Sequence, residues 1–382
     1  MAPHCEIQFD NNPLGIYHAG QTLSGKVKLR LDKPKTVNGF YLVISGFAEI
    51  GWYENDNEKR DTYKGEEKLL YAENTLIAQS NGGAIEIPVG THVYNFVCKL
   101  PQQLPTSFEG NYGKIRYTVC AILDRPWKFN QTCTVAFTVL KPLDLNLVPF
   151  AGQPKRIDVT KTFCCWPCTS RPLLITVETP ATGYVPGQKI PIIITLNNTS
   201  SVGINGVKCS LDRTESYISQ SPYEKTKTVC KTLASLSTVV TNDKYARLTQ
   251  QLEIPSIAPT GKCSVLVIEY ELNINVQVES CRVNPKIEIP ILIGTVPLLT
   301  MTMTTSTPPL LMQVNANYGS FDDCPLPTAP PPLANFDGRL PPSYEEAVNG
   351  EVVNVNDEPN AIGFQPYVPR YPVYKFDSSV KC

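Results

Sequence analysis

Histidine is almost missing: His4, His18 and His92 are the only three in 382 residues. That scarcity removes much of the usual supply of general acids, bases and metal ligands. Charge of one sign is lacking too. Lysine plus arginine number 34 against 35 aspartates and glutamates, a formal net charge of −1, which excludes a general nucleic-acid binder. No run approaches the roughly 18 apolar residues of a membrane span. The opening MAPHCEIQFDNN has no basic start followed by an apolar stretch, so no signal peptide is expected. No amphipathic helix, phosphate-binding glycine loop, histidine-paired nucleophile or metal-ligand quartet is evident. The expectation is a cytoplasmic protein that is not an enzyme, with no metal, no cofactor and no nucleic-acid partner. Its 13 cysteines then read as reduced thiols rather than a disulfide framework.

Apolar residues make up 42%, enough for packed cores. The first 299 residues read as short strands. Gly25–Leu31 alternates, with Val27, Leu29 and Leu31 on one face and Lys26, Lys28 and Arg30 on the other. Cys5–Phe9, Phe40–Ile44, Lys114–Cys120, Thr132–Val139, Ile190–Leu196, Cys263–Leu272 and Asn273–Val278 are β-branched, aromatic or alternating, and turn residues punctuate them. This pattern predicts an all-β chain of sandwiches.

An internal repeat sets the domain count. Tyr17-His-Ala-Gly-Gln-Thr-Leu23 is echoed by Tyr184-Val-Pro-Gly-Gln-Lys-Ile190. Leu100-Pro, Leu104-Pro-Thr and Ile115-Arg-Tyr117 are echoed by Ile254-Pro, Ile257-Ala-Pro-Thr and Ile268-Glu-Tyr270. Two landmarks in the same order predict two related sandwiches, residues 1–155 and 156–299. From residue 300 strand alternation stops and proline and acidic charge accumulate, which predicts a disordered, proline-rich tail over 300–382.

The tail carries three short motifs. Pro341, Pro342 and Tyr344 form a PPxY element. Two prolines pre-set a polyproline II turn that lies across an aromatic groove, as WW domains require, and Tyr344 fills the neighbouring pocket. Pro369 and Tyr371 look like a degenerate second copy. Tyr344 and Tyr371 are 27 positions apart, a coil of about 30 Å suited to tandem WW domains. The alternative is that Tyr367, Tyr371, Tyr374 and Phe376 dock back on a sheet edge. Pro327, Thr328, Ala329 and Pro330 resemble the late-domain peptide bound by the UEV domain of ESCRT-I.

The stretch from Ile87 to Phe96, Leu104–Gly110, Gly113–Tyr117 and Leu123–Lys128 resembles the signature of the arrestin-domain-containing (α-arrestin) family. Thr162–Cys168 and Cys263–Leu272 look like its C-domain landmarks. The resemblance covers essentially the whole chain and extends to the thioredoxin-interacting subgroup. It implies two tandem immunoglobulin-like arrestin β-sandwiches, N and C. It also implies an adaptor that brings WW-domain HECT ubiquitin ligases to membrane receptors or transporters, working at the plasma membrane and endosomes. The resemblance implies a second reading as well, a redox-linked scaffold that contacts thioredoxin through Cys263.

Two further groups carry sharper and blander readings. Lys26, Lys28 and Arg30 are either a solvated face or a groove for acidic cargo tails or anionic lipid headgroups. Cys164, Cys165 and Cys168 have no helix start to activate a dithiol and no clear fourth zinc ligand, so buried or inter-strand thiols are the default.

Overall fold

Alternation along Thr22–Leu31 sets the first sheet. Val27, Leu29 and Leu31 turn inward and are buried, while Lys26 and Arg30 stay in solvent, the period-two pattern of a half-covered strand. The computed structural model describes residues 3–56, 59–78, 83–165, 168–241, 244–279, 283–299, 342–348, 353–354 and 366–376. Its first half holds eight main strands: β1 (His4–Phe9), β2 (Ile16–His18), β3 (Thr22–Leu31), β4 (Gly39–Asp56), β5 (Lys59–Ala78), β6 (Gly90–Lys99), β7 (Gly113–Asp124) and β8 (Gln131–Leu140). They form two sheets, ordered β1-β3-β6 and β2-β8-β7-β4-β5. Phe9, Tyr17 and Phe137 meet edge to face within this core, with ring centroids 5.7–6.0 Å apart, the arrangement that the ring quadrupoles favour.

The second half repeats the plan with β9 (Lys155–Lys161), β10 (Leu173–Thr179), β11 (Gly183–Tyr184), β12 (Lys189–Asn198), β13 (Ile204–Ile218), β14 (Thr226–Val239), β15 (Tyr245–Glu253), β16 (Leu266–Val278) and β17 (Lys286–Ile293). The sheets are β9-β10-β12-β15 and β11-β17-β16-β13-β14. Ile190, Ile192 and Ile194 of β12 face Val207, Cys209 and Leu211 of β13 and Leu272, Ile274 and Val276 of β16 within one apolar cluster, all fully buried. The chain is all-β, in two β-sandwiches. Among the described residues the one helical element is a 3₁₀ turn, Leu145–Leu147.

Both sequence landmarks are structural devices. Tyr17 and Tyr184 sit on short strands that run parallel to the last strand of their own sheet, β8 and β17. The glycine that follows each adopts a left-handed backbone, φ +88° at Gly20 and +87° at Gly187, which glycine takes without a Cβ clash. The next glutamine closes the turn: Gln21 Oε1 accepts from the His18 amide at 2.7 Å, and Gln188 Oε1 from the Val185 amide at 2.9 Å. The later landmark pins a loop to the sheet. The Tyr117 hydroxyl donates to the Pro105 carbonyl at 2.7 Å, and the Tyr270 hydroxyl to the Ala258 carbonyl at 2.6 Å.

Two readings of strand extent change. The strands expected over 263–272 and 273–278 are one continuous strand, β16, which starts at Leu266. Cys263 lies before it, in the turn after the short strand Gly261–Lys262. The segment read as Phe40–Ile44 extends into the long β4–β5 hairpin, whose far part bridges to the second sandwich. There the Lys64 amide donates to the Ser221 carbonyl at 2.9 Å, the Tyr63 and Tyr223 hydroxyls lie 2.6 Å apart, and Lys225 pairs with Glu54.

Composition suggests a disordered tail, yet part of it is ordered. Two of its segments form β18 (Ser343–Glu346) and β19 (Arg370–Val373), paired antiparallel.

Candidate functional site: the docked tail and the charged faces

The loops pinned by Tyr117 and Tyr270 are platforms for the tail. Ser107 is fixed by its exchange with Val139: its amide donates to the Val139 carbonyl at 2.8 Å, and its Oγ accepts from the Val139 amide at 2.9 Å. The Ser107 carbonyl is then free to accept from the Tyr371 hydroxyl at 2.9 Å. In the second sandwich, Ser256 receives the Val348 amide on its carbonyl at 2.9 Å and donates its Oγ to the Glu345 carbonyl at 3.0 Å. The tail therefore touches both halves through equivalent loops.

The register pairs Ser343 with Val373, Tyr344 with Pro372, Glu345 with Tyr371 and Glu346 with Arg370. Arg370 Nη2 meets Glu346 Oε1 at 2.6 Å. Beyond β19, the Tyr374 amide donates to the Pro186 carbonyl at 3.0 Å and its hydroxyl to the Thr295 carbonyl at 2.6 Å. A Cβ on Gly187 would lie 2.1 Å from the Tyr374 carbonyl oxygen. The glycine of the repeat thus makes room for the tail as well as for its own turn.

Each expected tail residue has a distinct environment. Pro342 and Tyr344 are half-buried, with Tyr344 packed against the main core. Burial pushes the Tyr344 phenol up from its ordinary value. Pro369 and Tyr371 are buried, Tyr371 almost completely. Burial holds the Tyr371 phenol well above the usual tyrosine range and pushes Tyr367 up to about 12. Tyr344 and Tyr371 lie on paired strands, β18 and β19, and Tyr371 faces the core. The alternative of aromatics docked on the body describes Tyr367, Tyr371 and Tyr374. Pro341 and the Pro327–Pro330 motif lie outside the described residues, as do the side chains of Cys164, Cys165 and Cys168.

Beneath the tail is a buried polar layer that the sequence reading missed. Arg116 binds Glu109 through two parallel bonds of 2.7 and 2.8 Å, with both side chains largely buried. Arg213 pairs with Glu215, both side chains under a tenth exposed, and lies 5.0 Å from the Phe108 ring centroid. Tyr217 donates to the same glutamate. The Arg116–Glu109 fork is directional as well as strong, and Arg213 completes the layer with both of its bonds on one Glu215 oxygen. Its sequence signal is slight, since Arg213-Thr-Glu215 reads like any polar strand stretch.

Lys26, Lys28 and Arg30 share the outward face of β3. They register with Gln8, Glu6 and His4 on one side and Asn95, Val93 and Thr91 on the other. Arg30 also approaches Asp32 at 3.8 Å. Cys263 is only partly exposed, and burial, the largest influence, raises its thiol pKa. A raised pKa withholds the nucleophilic thiolate. Among the described residues no group of three His, Cys, Asp or Glu side chains could hold a metal, and no helix is long and apolar enough to cross a membrane.

Two tandem sandwiches linked by a long hairpin and strapped by their own C-terminal segment define an arrestin-fold scaffold. Residues 5–146 match the family model described as Arrestin (or S-antigen), N-terminal domain, and residues 169–298 match Arrestin (or S-antigen), C-terminal domain. The chain is 29% identical over 350 residues to arrestin domain-containing protein 17 of Caenorhabditis elegans, covering 85% of this chain and 78% of the relative. It is 28% identical over 383 residues to arrestin domain-containing protein 4 of Mus musculus, covering 96% and 84%. With arrestin domain-containing protein 1 of Rattus norvegicus it shares 27% identity over 324 residues, 83% of this chain and 68% of the relative. The chain belongs to the arrestin-domain-containing (α-arrestin) family, whose members are non-catalytic scaffolds linked to trafficking and adaptor roles.

Proposed function

We propose that this chain is a trafficking adaptor that brings WW-domain HECT ubiquitin ligases to membrane receptors or transporters, for ubiquitination, endocytosis and endosomal sorting. The arrestin body contacts cargo, and the tail presents Pro341, Pro342 and Tyr344 to the ligase. Ubiquitin transfer is the ligase's chemistry, and this protein contributes proximity, raising the effective concentration of cargo lysines. The reading places the protein in the cytoplasm, peripherally at the plasma membrane and endosomes. Pro327–Pro330 adds ESCRT-I recruitment, and the Lys26, Lys28 and Arg30 face offers a docking strip for acidic cargo segments.

The observation that carries this reading is where Tyr344 sits. It is on a tail strand that meets one partner strand, β19, and is tied to the body by a few bonds around Ser256. A WW domain needs the same prolines and tyrosine free. Docking and ligase binding therefore compete, and the apparent affinity is the intrinsic affinity multiplied by the fraction of time the strap is released. The thioredoxin-binding alternative gains nothing from the partly buried, raised-pKa thiol of Cys263.

The test is WW-domain binding by the full-length protein, wild type against Tyr344→Ala, with cargo ubiquitination read in parallel. Loss of both supports the adaptor; unchanged binding rejects the PPxY as the ligase contact.

A further inference from the structure

The turn between β7 and β8 runs away from the tail, at the end of the first sandwich opposite the β4–β5 tip. In register, Asp124 pairs with Gly39 at the start of β4 while Gly113 pairs with Ile50 near its far end. At this turn Trp127 is fully exposed and Phe129 is 80% exposed. Neither exposure is a trait of a frayed loop. Arg125 donates from Nε and Nη2 to the Phe129 carbonyl at 2.9 and 2.5 Å, and the Lys128 amide donates to the Arg125 carbonyl at 3.4 Å. The Asn38 amide holds the base through the Asp124 carbonyl at 2.8 Å. Trp127 takes a left-handed backbone, φ +57°, an uncommon conformation for a bulky residue. The loop is tied into a shape that projects two aromatic rings outward.

Cations flank the rings. Lys128 is exposed and Arg125 half-exposed on the loop. Lys35, on the neighbouring short strand Lys35–Val37, bonds Gln131 at the start of β8. Its pKa is lowered by burial and then by the charges of Arg125 and Lys128, so the three cations share one neighbourhood. The acidic group at this turn is Asp124, at the base, where Asn38 bonds its carboxylate at 3.3 Å.

We infer that the Arg125–Phe129 turn is a membrane-contact site that seats Trp127 and Phe129 in the interface of an anionic bilayer. The pairing of groups favours a lipid surface. Two exposed rings sit beside exposed and half-exposed cations, the combination that lets rings enter the level where headgroups meet acyl chains while cations meet phosphate. Tryptophan suits that boundary because its ring is apolar and its N–H needs a wet partner. A protein hot spot is instead a buried pocket rimmed by a seal of neighbours, whereas the shallow hollow between Arg125, Trp127, Lys128 and Phe129 is open to solvent and both rings are largely exposed. The site goes beyond the adaptor reading, needs no ligase, and is separate from the Lys26, Lys28 and Arg30 face. It would orient the body against the membrane that holds the cargo.

The experiment is co-sedimentation of the full-length protein with phosphatidylcholine vesicles, with and without about 30% phosphatidylserine. Wild type should favour the anionic vesicles, and added salt should weaken it, as screening requires. Trp127→Ala with Phe129→Ala should lower partitioning at least tenfold with an unchanged melting curve. Lys128→Glu should lower it about fivefold or more, since each basic residue contributes roughly that factor. Trp127→Phe should retain most binding yet lose the tryptophan quenching that brominated lipids cause in wild type. Equal sedimentation of wild type and the double variant overturns the inference, as does failure of wild type to sediment with anionic vesicles. So does a double variant that loses a protein partner while keeping its vesicle binding. WW binding is measured on the same variants, and its persistence separates this site from the adaptor function.

Discussion

The Tyr371 hydroxyl donates to the Ser107 carbonyl at 2.9 Å, joining a residue near the C-terminus to a loop of the first sandwich 264 positions away. The contact inverts what the motif reading expects of Tyr371. Were it a second WW ligand, its loss would weaken ligase binding. Because it is buried against Ser107, its loss should loosen the strap and expose Tyr344.

Tyr371→Ala is therefore expected to raise the apparent WW affinity of the full-length protein. Burying one aromatic side chain contributes about 1.5–3 kcal/mol, so a gain of roughly ten- to a hundredfold is expected. Isothermal titration with a WW domain gives the sign, and a fall in affinity would restore Tyr371 as a ligand. An isolated tail peptide, which has no body to dock on, should show no gain.

Gly187 and Gly20 offer a controlled comparison. Both have left-handed backbones, φ +87° and +88°, so alanine at either should cost about 1 kcal/mol in backbone strain. Only at Gly187 does the new methyl meet the tail, 2.1 Å from the Tyr374 carbonyl oxygen; at Gly20 the nearest atom is the Gln102 side chain at 3.1 Å. Gly187→Ala should increase WW binding and proteolysis of the tail. Gly20→Ala should lower the melting temperature and leave both unchanged.

The buried Arg213–Glu215 pair should behave as a unit. Arg213→Met leaves the buried Glu215 carboxylate with Tyr217 as its remaining donor among the described residues. Stranding a buried charge costs about 3–5 kcal/mol. Urea unfolding should show that loss, and the double change Arg213→Met with Glu215→Gln should recover much of it. A loss under 1 kcal/mol in the single variant would show that water reaches the pair.

How much of this was legible depends on the range over which a residue acts. The repeated Tyr-x-x-Gly-Gln turn and the later tyrosine are local devices, read in sequence because each needs a fixed residue at a fixed spacing. Val27, Leu29 and Leu31 revealed their face by alternation alone. The tail was read by composition, which reports average burial and is blind to a few tyrosines that find hydroxyl acceptors far away. Tyr367, Tyr371 and Tyr374 could be named as aromatics able to dock, but Thr138, Ser107 and Gly187 could not be named as their seats. The Arg213–Glu215 pair was invisible for the same reason: its burial comes from strands packed around it, not from its own stretch.

The strap should also open at alkaline pH, and the sign follows from the phenols. An exposed tyrosine titrates near 10. Docking pushes Tyr367 up to about 12 and Tyr371 well above the usual range, in both cases chiefly by burial. The docked state therefore holds its protons where the released tail gives them up. The stabilisation is complete below about pH 10 and is lost as pH rises from there through the docked values. Phenolate absorbance of the wild type should show late-titrating tyrosines, and Tyr371→Phe should remove one of them. Tail proteolysis should rise over the same interval. If all tail tyrosines titrate near 10 while the sandwiches stay folded, the tail is not docked in solution.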